Sequence, residues 1–208
     1  MLITICRLYD SYNDANRVVL MLEAAGLPAS ETSVISNNSD TWYSAPKNAG
    51  VVPVRKDGTR SEADSKAEGR GEGAIIGAAI GATAATAASL ITMLAIPGVG
   101  AVVGAGWLAA LLAIGGVAGG LLGALTNAGI SEEDAQVFVE GVRRGGTLVA
   151  ARVPQAEVPR IEAMMNQSAV NLGERRELYR RSGWQCFDPN AVPYTADQVR
   201  SERALHAH

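Results

Sequence analysis

Hydrophobic positions recur with two different periods in the first 36 residues. Leu2, Ile3, Ile5 and Leu8, with Thr4 and Tyr9 among them, read as a strand over residues 1–9. Ser11 and Asp14 supply an S-x-x-D helix start, in which the Ser side chain satisfies an orphan backbone N–H. Ala15, Val18, Val19, Leu22 and Ala25 then follow at the spacing of one helix face. Gly26 is placed to end that helix, with Pro28 just beyond. Thr32 to Ser36 reads as a second strand. From 37 to 72 no period appears, and Asn, Ser, Asp, Gly, Lys and Glu dominate. That composition predicts a flexible linker, with one short extended piece at Val51–Val54.

At Gly73 the pattern changes again. From Gly73 to Ser131 there is no Asp, Glu, Lys, Arg or His, and Pro97-Gly98 divides the run. The first arm, 73–96, would be roughly 36 Å long as a helix at 1.5 Å per residue. The second arm, 99–128, is longer. Both exceed the ~20 residues that a bilayer crossing needs, so the expectation is a Gly/Ala-rich apolar helical hairpin over 73–130. Its glycines support that expectation. Gly73, Gly77 and Gly81 are four apart, Gly115, Gly119 and Gly123 repeat the spacing, and Gly100 and Gly104 give another pair. Residues four apart share a helix face, and a glycine stripe lets another backbone approach closely in lipid.

An ordinary amphipathic pattern resumes at Ser131. Ser131 and Asp134 repeat the capping signal, and Val137, Phe138 and Val142 give a short apolar face. Glu132, Glu133 and Asp134 are consecutive, so they point different ways and suit a helix N-terminus better than a metal or acid–base cluster. Arg143 and Arg144 are expected to be solvated at the helix end, before the Gly145-Gly146 stop. Thr147–Val153 is a clear strand, Val158 to Met165 a helix with Pro159 in its first turn, and Ala169–Leu172 a short last strand. The order βαβ, then αβαβ, predicts an α+β, ferredoxin-like sandwich interrupted by the apolar hairpin. Its halves would be residues 1–36 and 131–172, and they must pair across the insertion. Residues 173–208 read as a mostly disordered tail. Trp184, Phe187 and Tyr194 within it form a candidate docking motif for a partner or for the chain's own domain.

Composition narrows the chemistry. A net charge of −3 gives no global attraction for nucleic acid. The only histidines, His206 and His208, end the chain, and Cys6 and Cys186 have no CxxC partner. Neither a metal site nor a histidine-based catalytic site is expected, the glycine runs at 69–73 and 98–100 match no phosphate loop, and no cofactor is expected. The N-terminus lacks the basic and apolar regions of a signal peptide.

The stretches LYDSYNDANRVVLMLEAAG at 8–26, IPGVGAVVGAG at 96–106 and GISEEDAQVFVEGVRRGGTLVAARV at 129–153 together resemble the bacterial general-stress-protein domain family. These are heat- or low-temperature-induced proteins, also called YflT-like. The resemblance spans residues 1–170 and is most distinctive at EGVRRGGTLV. It implies a ferredoxin-like domain and an association with stress, and no catalytic residues. The expectation is a non-enzymatic protein whose apolar hairpin mediates membrane association, self-assembly or both. It would sit on the cytoplasmic face of the inner membrane or form a soluble cytoplasmic assembly. A soluble oligomeric small-ligand sensor and a pore-forming effector are the alternatives.

Overall fold

The structure, a computed structural model, describes residues 1–43, 92–113 and 120–206. Among them the chain forms an α+β fold with one five-stranded antiparallel sheet and seven α-helices. Strand β1 (Leu2–Tyr9) leads through α1 (Tyr12–Ala24) to β2 (Thr32–Asn37). A hairpin of β3 (Thr92–Ile96) and β4 (Gly100–Gly106) follows, then α2 (Trp107–Ala113) and α3 (Gly120–Asn127). Helix α4 (Glu132–Arg143), β5 (Thr147–Pro154) and α5 (Val158–Met165) complete the central unit. Two further helices, α6 (Leu172–Arg181) and α7 (Ala196–Leu205), lie in the tail.

The sheet order is β1-β5-β2-β4-β3. β1 and β2 each pair antiparallel with β5, so α1 carries the chain over a strand that arrives much later. Alternation along each strand sorts side chains to two faces. Ile5 and Tyr9 of β1, Val34 of β2 and Val149, Ala151 and Val153 of β5 pack with Val18, Leu22, Ile161 and Met165 of α1 and α5. Cys6, Leu8, Ile35, Leu148 and Ala150 point the other way, against α2, α3 and α4 through Leu108, Leu125, Phe138 and Val142. Each such fully buried Leu or Val contributes about 1.5–3 kcal/mol. On the second face, α4 comes close to the sheet because residue 141 is glycine: a Cβ there would stand 2.4 Å from Leu8 Cδ2.

Both capping expectations hold. The Ser11 and Ser131 side chains accept from the Asp14 and Asp134 backbone N–H at 3.1 and 3.2 Å. Other expectations differ. Residues 92–106 are not parts of two helices: Thr92–Ile96 and Gly100–Gly106 are strands paired along their length. Pro97-Gly98 is the turn between them, closed by Val99 N–H donating to the Ile96 carbonyl at 3.1 Å. Proline followed by a glycine of φ 72° is the order of a type II turn. No strand forms at 169–172. Only Val170 N–H reaches the Leu8 carbonyl, at 2.8 Å, and α6 begins at Leu172. The sheet is therefore extended on the β2 side by β4 and β3, which the ferredoxin-like order does not contain. The tail, expected to be disordered, carries α6 and α7 and packs on α4. Among the described residues, no helix is long and apolar enough to cross a membrane.

Candidate functional site

The glycines expected to line a helix seam have three different fates. Gly73, Gly77, Gly81, Gly115 and Gly119 lie outside the described residues, as do residues 44–72 of the expected linker; its start, 37–43, is described, with Asn37 ending β2 and Trp42 packed against Tyr12. Gly100 and Gly104 are in β4, where no helix face exists. A Cβ at Gly104 would approach Ala109 Cβ to 2.9 Å, so this glycine seats α2 on the sheet. A Cβ on Gly100 would meet Pro193 at 3.0 Å and Ser39 Oγ at 3.2 Å. Gly123 is helical, in α3, and half-buried.

The structure gathers its polar chemistry instead at the C-terminal end of α4. Glu140 is fully buried there. Its carboxylate accepts from Arg144 Nε at 2.7 Å and from Arg143 Nη1 at 3.3 Å to both oxygens. Helical spacing makes this possible, because i+3 and i+4 lie on the same side as i. Arg143 and Arg144 are thus not the solvated helix end expected of them: both side chains are largely covered. Burial opposes the charge on Arg144, but the Glu140 hydrogen bond and charge outweigh it and hold the guanidinium above its ordinary pKa.

The three aromatic residues of the tail divide between this cluster and the core. Tyr194 lies under the Arg143 guanidinium, 4.6 Å from ring centroid to Cζ. Phe187 is buried in the apolar cluster with Leu94, Ile96, Val99 and Val102. Trp184 sits edge-on to Tyr179, with ring centroids 5.8 Å apart, and Tyr179 in turn faces Arg144 at 4.3 Å. Burial pushes the Tyr179 phenol up to about 12, against the opposing pull of Arg175 and Arg144. All three rings thus pack against the chain's own domain.

Beside the cluster, between α4 and α6, is an open groove of about 310 Å³ lined by Glu132, Glu133, Gln136, Arg176, Arg180 and Trp184. Arg176 bridges Glu133 and Asp134, at 2.7 Å to each. The acidic run of α4 therefore caps its own helix and anchors α6. Two donors at this place, Trp184 Nε1 and Arg176 Nε, are buried without a partner among the described residues. The same described residues contain no group of three His, Cys, Asp or Glu side chains placed to hold a metal ion. Cys6 is buried, and burial raises its thiol to about 12, far from a nucleophile's value.

In the sequence Arg143 and Arg144 read as a solvated helix end, and Glu140 carries no separate signal. The E-x-x-R-R spacing was the available signal, but it acquires meaning only when Tyr179 and Tyr194 arrive from the tail. No protein family, no curated protein and no solved structure matches the chain.

Proposed function

We propose that this chain is a non-enzymatic association module in which the charge-free segment mediates self-assembly or contact with a membrane surface. The observation that carries this is how the charge-free run is divided. Residues 92–113 and 120–130 supply strands, helices and core of the domain. Residues 73–91, which carry no charge and hold Gly73, Gly77 and Gly81, lie outside the described residues and are the part of the run to which the proposal assigns the contact. The non-enzymatic part of the proposal is supported by the carboxylates. Asp10, Glu133, Asp134 and Glu140 are each committed to an arginine. The β1-α1-β2 crossover around β5, with the single Val170–Leu8 bond outside β1, supports a modified ferredoxin-like plan. A stress association rests on the resemblance of residues 1–170 alone.

The test is fractionation of the full chain beside a deletion of residues 73–91. Removing more would take β3 and β4 out of the sheet. Carbonate-resistant pelleting, or a mass of several chains in sedimentation, is expected for the full chain and lost in the deletion. A monomeric full chain that never pellets would end the proposal.

The groove between α4 and α6 favours a second reading, a small-ligand module. Trp184 Nε1 and Arg176 Nε are both donors, so the ligand class would be small carboxylates. A thermal-shift screen of such acids against the full chain and Trp184→Phe tests it. No shift beyond about 1 °C at millimolar ligand would remove it, because saturating binding stabilises by more than that.

A further inference from the structure

Residues 172–206 are attached to the domain almost wholly by side chains. Among the described residues, no backbone-to-backbone hydrogen bond joins this segment to residues 1–171 outside the first turn of α6 itself. Three anchors hold it. Arg175 grips both oxygens of Asp10 at 2.8 Å, with Arg176 on Glu133 and Asp134 nearby. Arg143 donates to the Val192 carbonyl at 3.0 Å and faces Tyr194, while Arg144 faces Tyr179 and lies 3.6 Å from Glu202. Arg203 closes the end: it donates to the Gly145 carbonyl at 2.8 Å, the Asn37 carbonyl at 2.9 Å and Asp40 at 2.5 Å.

Between these anchors the α6–α7 loop grips the β3–β4 turn. Phe187 fills the apolar space beside Leu94, Ile96 and Val99. A Cβ on Gly98 would lie 2.6 Å from the Asp188 carbonyl oxygen and 2.9 Å from Phe187 Cζ. The gripped pair is the weak margin of the sheet. β3 is the edge strand, with β4 as its only strand partner among the described residues, while β4 is held by β2 as well. The anchors are also of a kind that lets go. Burying ion pairs costs hydration that their attraction only about balances, so release returns much of that cost to the charged groups. Release also breaks no sheet ladder.

We infer that residues 172–206 form a releasable strap, an intramolecular contact that holds the β3–β4 hairpin shut and restrains self-association of the chain. The inference rests on the proposed association function and adds its regulation. When the strap leaves, the space vacated by Phe187 opens beside Leu94, Ile96 and Val99, continuous in sequence with the charge-free run. The occupant of that space is a second copy of this chain, whose own Phe187 segment already has the shape that fits it.

The test uses the full chain and two variants from opposite ends of the strap, Arg175→Ala and Arg203→Ala, both of which leave Phe187 in place. Hydrogen exchange is read by peptide, and sedimentation gives the mass. Both variants are expected to lose protection at least tenfold over 92–106 while β1 and β5 keep theirs, which shows that the domain remains folded. Their association is expected to rise at least tenfold over wild type. Fast exchange confined to 184–205, with 92–106 unchanged, would overturn the strap. So would a loosened hairpin with unchanged association. In either case the association function still stands if wild type assembles through 73–91. Full chain and variants that are all monomeric would overturn both.

Discussion

Replacing Gly106 with Ala separates the observed fold from the helical arrangement expected for the same residues. Gly106 ends β4, has φ 86° and pairs with Ser33 of β2. An added Cβ would stand 2.1 Å from the Thr32 carbonyl oxygen and 2.7 Å from Ser33 Cα. Both are backbone atoms, so no side chain can rotate to make room. Left-handed backbone costs an alanine about 1–2 kcal/mol. Overpacking adds about 1–3 kcal/mol, through displacement of β4 from β2. The sum is about 2–5 kcal/mol. For a chain of this size that lowers Tm by roughly 4–20 °C, at about 2–4 °C per kcal/mol. Gly26→Ala is the matched control: φ is 90° but nothing lies within 4 Å of the new methyl, so only the backbone cost of about 1–2 kcal/mol applies. Were residues 99–128 a continuous helix, Gly106→Ala would instead stabilise by about 1 kcal/mol. Urea unfolding followed by circular dichroism measures the difference. A Gly106→Ala midpoint equal to or above that of wild type would refute the β4–α2 turn.

The buried ion cluster and the thiols give two further expectations. Glu140→Gln keeps the shape but leaves Arg143 and Arg144 without a buried counter-charge, at an expected loss of about 3 kcal/mol in urea unfolding; a loss under about 0.5 kcal/mol would mean that the pair is worth no more than a surface bridge. Thiol titration of the native chain at pH 8 is expected to show one fast-reacting group, the exposed Cys186, and a second on unfolding, since Cys6 is buried. Burial raises the Cys6 pKa from 9.0 to about 12, so between those values the folded chain holds a proton that the unfolded chain releases. The associated stability is present below pH 9 and declines as pH rises towards 12, and a stability flat across that window would contradict the burial.

Much of the fold is legible in the sequence because its signals are local. The S-x-x-D starts at Ser11 and Ser131 satisfy backbone groups within one turn, and those caps form as expected. Strands β1, β2 and β5 and helices α1, α4 and α5 have the apolar spacing of elements that bury one face or one stripe. The stretch 92–106 has no such guide. Its residues carry no charge and are nearly all apolar, and such a run fits a covered strand as well as a helix. Glycines four apart imitated a helix seam, although Gly100 and Gly104 serve a strand that must pass close to Pro193 and Ala109. A Pro-Gly pair interrupts either arrangement, and only pairing with β2 decides for the turn.

The tail was illegible for another reason. α6 and α7 are polar helices with weak apolar faces, and composition alone assigns such segments to disorder. Their partners are Asp10, Asp40, Glu133 and Asp134, far apart in the first 134 residues and brought together only by the fold. What the sequence determined by itself is therefore the set of elements whose stabilising contacts lie within a turn or two, along with the sharp boundaries of the charge-free run. Tertiary structure alone decided the strand identity of 92–106, the order of the sheet and the seating of the tail. Each of those depends on contacts between residues far apart in the chain, which no local period records.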